Sequence, residues 1–320
     1  MSHILVSGAN GFVGRVLCRR LAQAGHRVTG LVRRPGQCDD GTDEWVESSP
    51  DYAAIDEAWR PALRIDTVIH LAARVHVMND SAVDPDAVFR ATNVDGTLRL
   101  MRAAHERGVQ RFIFVSSIKA VAERDDGVPL NERRIACPED AYGRSKRAAE
   151  EALVQYGDET GFDVVIVRPP LVYGPHVRAN FLRLMRAVSR GIPLPLGAID
   201  ARRSLLFVEN LVDALMQSAI DPRARRGCFH VADEGAPSTV ELVRELASRL
   251  GKSPRLLPVP VAWLRAAGRL SGRSAEIDRL VSSLQVDTAN IREVLQWRPR
   301  FTLSDGLTVT ADWYRATYGD

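Results

Sequence analysis

Ile4-Leu5-Val6-Ser7-Gly8-Ala9-Asn10-Gly11-Phe12-Val13-Gly14 carries three glycines at a spacing of three behind a short apolar run. Ile4–Ser7 predicts a strand. Phe12–Ala24, closed by Gly25, predicts a helix. Glycines between a strand and a helix allow a tight turn, close approach of backbone to a pyrophosphate, and close packing of the helix. The helix start then offers unpaired N–H groups and the positive end of its dipole to phosphates. A glycine triplet alone is also what a flexible turn looks like; the strand–turn–helix context makes it a dinucleotide site. The spacing is Gly-x-x-Gly-x-x-Gly rather than Gly-x-Gly-x-x-Gly.

The same alternation continues outward. Arg27–Val32, Thr67–Leu71, Arg111–Ser116 and Asp163–Arg168 read as strands, Pro85–Arg107 and Tyr142–Tyr156 as helices. Strands with continuous apolar runs, separated by helices, predict a doubly wound parallel α/β sheet of Rossmann type. After Pro169-Pro170, prolines and glycines break the chain into shorter pieces. Leu205–Ile220 and Cys228–Ala232 are expected as a helix and strand returning to the sheet, and Thr239–Leu250 and Asp287–Leu295 as helices. The expected division is residues 1–170, with about 205–232, as a nucleotide-binding domain. Residues 171–204 and 233–320 would form a smaller α/β substrate-binding part.

The chain has 320 residues, 45% hydrophobic and 26% charged, with net charge +3, as expected of a globular protein of one or two domains. Its arginines are scattered, so no nucleic-acid stripe is present. The four cysteines (Cys18, Cys38, Cys137 and Cys228) lack metal or disulfide spacing, which suggests a reducing compartment. His70, His76 and His176 show no metal spacing. No apolar stretch is long enough to span a bilayer and no leader pattern is visible, so a cytoplasmic location is expected.

Cofactor choice turns on the end of the second strand. An NAD site usually has an acidic residue there, on the ribose 2′-hydroxyl. This chain has Leu31-Val32-Arg33-Arg34, and no carboxylate before Asp39. Two guanidiniums suit a 2′-phosphate. NADP(H) is therefore favoured, with NAD(H) as the alternative and plain surface arginines as the bland reading.

Tyr142 and Lys146 fall on one helix face, four residues apart. A tyrosine has a pKa of ~10, but an adjacent ammonium and an oxidised nicotinamide would favour phenolate. The phenol could then exchange a proton with a substrate oxygen as hydride moves. Ser117 would bond the same oxygen, and Lys146 the nicotinamide ribose. Taken alone, a Tyr-x-x-x-Lys pair is an ordinary surface pair; the glycine turn and the Ser116-Ser117 strand end give it meaning.

Gly8–Gly14, His70-Leu71-Ala72-Ala73, Asn93-Val94-x-Gly96-Thr97, Ser116-Ser117, Tyr142-x-x-x-Lys146 and Arg168-Pro169-Pro170-x-Val172-Tyr173-Gly174-Pro175 resemble the extended short-chain dehydrogenases/reductases. More narrowly they resemble the sugar-nucleotide epimerase/dehydratase group, across essentially the whole chain. The resemblance implies that Ser117, Tyr142 and Lys146 are catalytic. It implies a cofactor site of Gly8, Asn10, Gly11, Phe12, Val13, Gly14, Leu71, Ala72, Ala73, Val115, Ser116, Pro169, Pro170 and Val172, with Asn93 supporting the sheet end. Asn180 and Phe181 would hold a nucleotide diphosphate and Arg203 would pair with it. A homodimer through a four-helix bundle, from the helices around Ala87–Arg107 and Tyr142–Gln155, is also implied.

Ser116-Ser117-Ile118-Lys119 departs from the common Ser-Ser-x-x-Val-Tyr-Gly segment. It resembles a subgroup of UDP-N-acetyl-6-deoxyhexose 4-ketoreductases and 4-epimerases in bacterial surface-polysaccharide (O-antigen, lipopolysaccharide) synthesis. Leu194-Pro195-Leu196-Gly197 before Arg202-Arg203-Ser204-Leu205 shares that resemblance. Lys119 could be an exposed lysine or could touch substrate; the second is favoured in a chain with three lysines. Ile118-Lys119 replaces the Asp-Glu pair of the family's dehydratases, which argues against 4,6-dehydration. The leading expectation is an NADPH-dependent UDP-sugar 4-ketoreductase with Tyr142 as proton donor. The alternatives are a UDP-sugar 4-epimerase with tightly held NAD and a non-catalytic NADP(H) sensor.

Overall fold

The structure, a computed structural model, describes residues 1–59, 63–75 and 84–319; His76 lies outside them. Nine strands are formed among them: β1 (His3–Ser7), β2 (Arg27–Val32), β3 (Asp43–Val46), β4 (Thr67–His70), β5 (Arg111–Val115), β6 (Asp163–Arg168), β7 (Leu171–Tyr173), β8 (Leu205–Phe207) and β9 (Cys228–His230). The first five helices are α1 (Phe12–Gln23), α2 (Ile55–Ala58), α3 (Pro85–Arg90), α4 (Gly96–Glu106) and α5 (Ala141–Thr160). Then follow α6 (Ala179–Ser189), α7 (Val208–Ile220), α8 (Thr239–Arg249), α9 (Val261–Leu270), α10 (Ser274–Val281), α11 (Ala289–Leu295) and α12 (Leu303–Tyr318).

Seven strands make one parallel sheet in the order β3-β2-β1-β4-β5-β6-β9. The apolar strands are divided residue by residue between two cores. Ile4, Val6, Ile69, Ile113, Val165 and Val167 face one, with α1, α7 and the C-terminal helices. Leu5, Val68, Phe112, Phe114, Val164 and Ile166 face the other, with α4 and α5. Each such fully buried side chain contributes about 1.5–3 kcal/mol, which explains why these strands have no polar alternation. From β1 the chain runs outward to β3, then returns to β4 on the other side of β1. That reversal opens a crevice at the carboxyl ends of β1 and β4, where doubly wound sheets bind ligands.

The parallel sheet bears out the expected fold class. Several local readings need correction. The long helix at Pro85–Arg107 is interrupted by a π turn at Ala91–Asp95. Leu205–Ile220 is not one helix: Leu205–Phe207 is a buried strand pairing with β7, and the helix starts at Val208. The strands β3 and β7 and the helices α2, α6, α9, α10 and α12 were not expected.

Candidate functional site

The glycine turn lies at the crevice. The Gly11 N–H donates to the Gly8 carbonyl at 2.9 Å and closes it. A Cβ on Gly14 would stand 2.2 Å from the Gly8 oxygen and 2.8 Å from the Ala9 Cα, so only glycine allows α1 to approach the turn this closely. No side chain caps α1 and no acidic residue occupies its first turn. Among the described residues no side chain caps its first amides, at Phe12 and Val13, and they suit an anion.

Arg33 and Arg34 are both exposed just past β2. The following loop folds onto Glu44 of β3, whose carboxylate accepts from the N–H groups of Gly36 (2.9 Å), Gln37 (2.8 Å) and Cys38 (3.1 Å). These bonds hold Glu44 below the usual carboxylate range. Gln37 in turn accepts from the Asn10 amide at 3.0 Å, joining this loop to the glycine turn.

Across the crevice, the Ala72 N–H donates to Ser7 Oγ at 3.3 Å, and Leu71 N–H to the Ser7 carbonyl at 3.2 Å. Ser7 Oγ is also 2.6 Å from His70 Nδ1, while His70 Nε2 is 2.9 Å from the Thr97 hydroxyl. Burial, aided by the Lys146 charge, pushes the His70 pKa down to about 3, so it is a neutral structural relay. Asn93 sits on the π turn and is 1% exposed. It exchanges two hydrogen bonds with the Arg74 backbone, which follows Ala72-Ala73, and donates to Ser145 Oγ at 3.0 Å. These bonds join the π turn to the segment after β4 and to α5. π turns of this kind concentrate at functional sites.

The end of β5 brings Val115, Ser116 and Ser117 to the same cleft. The Lys146 ammonium is buried, donates to the Val115 carbonyl at 2.8 Å and lies 4.3 Å from the Phe114 ring centre. Burial pulls its pKa down to about 7, against the pull of Glu150. The Ser117 side chain lies beside the Tyr142 phenol, and Lys146 stands one turn along the same helix, so the three reach one cleft. Burial, then the Asp140 charge, push the phenol up to about 12. In the protein alone the Lys146 ammonium is committed to the Val115 carbonyl. Ser116 Oγ is buried without a hydrogen-bond partner among the described residues. Pro169 and Pro170 are buried beside it, with the Pro169 carbonyl accepting from Ile118 N–H at 2.9 Å, and Val172 lies on β7. The close-packed glycine turn, the uncapped helix start, the unpaired Ser116 hydroxyl and Lys146 fit a dinucleotide.

The residues expected on the substrate side are placed unevenly. Asn180 is exposed near the start of α6, after a loop in which His176 and Ala179 hold left-handed φ of 69° and 53°. Such strain in non-glycine residues is typical of functional loops. The Phe181 ring is buried against Tyr173, with centres 5.5 Å apart, which leaves only its backbone for a ligand. Arg203 donates to the Arg279 carbonyl of α10. Lys119 is engaged by two carboxylates, 2.6 Å from Asp140 and 3.2 Å from Glu123. The sequence reading missed Asp140, whose Oδ1 accepts from Gly143 N–H at 2.7 Å and caps the Tyr142 helix. An aspartate two residues before the tyrosine was the available signal. Glu123, Ser145 and the Ser7–His70–Thr97 relay had no comparable mark.

Over 311 residues the chain is 42% identical to a UDP-glucose 4-epimerase of Vibrio cholerae, covering 96% of this chain and 94% of that one. Its fold is that of the UDP-glucose 4-epimerase of Thermotoga maritima solved with UDP-glucose, at 24% identity and a TM-score of 0.80 over 99% of both chains. The UDP-glucuronic acid 4-epimerase of Bacillus cereus, solved with NAD, has the same fold, with 20% identity and a TM-score of 0.79 over 99% of both. Residues 4–227 match the NAD dependent epimerase/dehydratase family, and the chain belongs to that family, as an NAD(P)-dependent oxidoreductase or epimerase of the extended short-chain dehydrogenase/reductase type.

Proposed function

We propose that this protein is a UDP-hexose 4-epimerase, acting through Ser117, Tyr142 and Lys146. The observation that carries the reading is the Ser117 side chain beside the Tyr142 phenol, with Lys146 one helical turn along and held at the Val115 carbonyl, the end of the same strand. The similarity to a UDP-glucose 4-epimerase over nearly the full chain supports it. Gly8–Gly14, Leu71–Ala73 and Ser116 would hold a dinucleotide, which would supply a hydride acceptor and donor for C4; the configuration changes only if the 4-keto sugar turns its opposite face before it is reduced. Tyr142 removes the C4 hydroxyl proton as that carbon is oxidised and returns it on reduction. Ser117 holds the same oxygen in line. Lys146 binds the ribose and, once drawn from the Val115 carbonyl, adds positive charge beside a phenol that otherwise stays protonated at neutral pH. Asn180 and Arg203 are assigned to the diphosphate, within a substrate-binding part of residues 171–204 and 233–320. A homodimer through α3–α4 and α5 accompanies this assignment.

One observation favours a second reading. Arg33 and Arg34 stand exposed at the β2 end, with no hydrogen bond or ion pair to another side chain among the described residues. Such a pair suits a 2′-phosphate and hence an NADPH-dependent 4-ketoreductase in surface-polysaccharide precursor synthesis.

The test incubates the purified protein with UDP-glucose, without added reductant, and follows UDP-galactose by NMR. Conversion that disappears in Tyr142→Phe supports the epimerase. No conversion, together with NADPH oxidation on a UDP-4-keto-6-deoxy-N-acetylhexosamine, would make the reductase the function. Turnover that survives in Tyr142→Phe would overturn the catalytic assignment in both.

A further inference from the structure

Lys119 lies in the 3-10 turn Ile118–Ala120, directly after Ser117 and Ile118. Its two carboxylate partners are more buried than it is: Asp140 is 17% and Glu123 7% exposed, against 31% for the lysine. While Asp140 Oδ2 takes the ammonium, Oδ1 caps α5. A Cβ on Gly143 would come within 2.5 Å of the Lys119 carbonyl, so the turn bearing Ser117 rests on the first turn of the helix bearing Tyr142. Glu123 extends the network: it lies 2.8 Å from Arg279 Nε of α10, whose carbonyl accepts from Arg203. Alternating charges, Asp140–Lys119–Glu123–Arg279, run from the cap of the Tyr142 helix to the segment holding Arg203.

We propose that Lys119 is a positioning residue: by clamping Asp140 it fixes Tyr142 against Ser117 and offsets the carboxylate charge beside the phenol, without touching substrate. The proposal rests on the reading of Tyr142 as the proton-transfer residue. Three elements pack around Tyr142. Asp140 and Lys146 belong to its own helix and cap, and Ser117 and Lys119 come from the turn. From α3 comes the Phe89 ring at 6.3 Å, with Asp86 already paired to Arg144 at 2.9 Å. Among these Asp140 opposes phenolate, and Lys119 is the cation bound to it. Bonds from Lys119 and the Gly143 N–H outweigh burial and keep Asp140 ionised, below its ordinary pKa.

Lys119→Met keeps the aliphatic stem and deletes the charge. Rates of C4 conversion are measured against pH on the full chain, with UDP-glucose or with the 4-keto sugar and NADPH, whichever the preceding assay turns over. In Lys119→Met the limb set by phenol ionisation should move up by roughly one pH unit. Below that limb kcat should fall about tenfold, with KM little changed, and Lys119→Arg should restore most of both. A raised KM with an unmoved limb would mean that Lys119 contacts substrate, and would overturn the proposal. So would wild-type values throughout. Asp140→Asn provides an independent check, because it removes the charge but keeps a cap acceptor: the limb should move down, and a limb unmoved or moved up counts against the proposal. Failure of the underlying reading is separable, since it alone leaves Tyr142→Phe active.

Discussion

The Asn93 amide donates to the Ser145 hydroxyl at 3.0 Å, and that hydroxyl donates to the Tyr142 carbonyl at 2.8 Å. A residue on a π turn is thus joined to the backbone of the tyrosine that carries the proposed chemistry. Asn93→Ala would remove a donor from the buried Ser145 hydroxyl and two hydrogen bonds from the half-buried Arg74 backbone. We expect a loss of about 1–3 kcal/mol, read by denaturant unfolding. Turnover should fall more than nucleotide content, because Asn93 braces α5 and the β4 end without entering the glycine turn.

Gly14→Ala should act on the other half of the site. The added methyl would overlap backbone at the Gly8 carbonyl and Ala9, and neither is the end of a flexible side chain. The turn must open, and the purified variant should carry little or no nucleotide when its denatured supernatant is analysed. Retention of a full complement would show that the turn tolerates a Cβ and that this account of its geometry is wrong.

Arg33→Asp separates the two cofactor readings. Where the guanidinium grips a 2′-phosphate, removing it should weaken NADP(H) binding by about 1.5–3 kcal/mol and leave NAD(H) binding nearly unchanged, as titration calorimetry would report. Equal, small effects on both would assign Arg33 to the solvated surface.

Acid stability should reflect two buried histidines. Burial pushes His70 down to about 3 and His230 down to about 4, the latter against a backbone bond to Leu130. Both folded values lie below the unfolded one, near 6.5. The unfolded chain therefore binds protons first as pH falls, and stability that is complete above pH 6.5 drains away toward pH 4. Each histidine costs up to about 1.4 kcal/mol per pH unit in that window. Denaturant midpoints measured from pH 7.5 to 4.5 should fall, and His70→Asn should flatten part of the slope.

The sheet was legible because β1, β2, β4, β5 and β6 are buried on both faces and advertise it as unbroken apolar runs. β3 was not: Asp43-Glu44-Trp45-Val46 is an edge strand with one buried residue, Trp45. The β7 and β8 strands, three residues each, are too short to show a period. The π turn leaves no mark either, because adding one residue to a helical turn shifts the apolar stripe without breaking it. Ser117, Tyr142 and Lys146 could be read because two of them share a helix face and the third ends a strand. The partners of Lys119 could not: Asp140 is 21 residues away and reaches it only through the packing of a turn on a helix.

The seventh strand joins the sheet late. After β6 the chain leaves through β7, α6 and β8, and only then returns as α7, which packs on α1, and as β9, which pairs with β6. A fragment cut at the Pro169-Pro170 step would lack both. It would bare the β6 edge at Ile166–Arg168 and the apolar surface that Leu211 and Leu215 cover, an invitation to aggregation. The nucleotide-binding half therefore cannot be harvested as a stand-alone module; the chain has to be synthesised almost to residue 230 before that sheet can close.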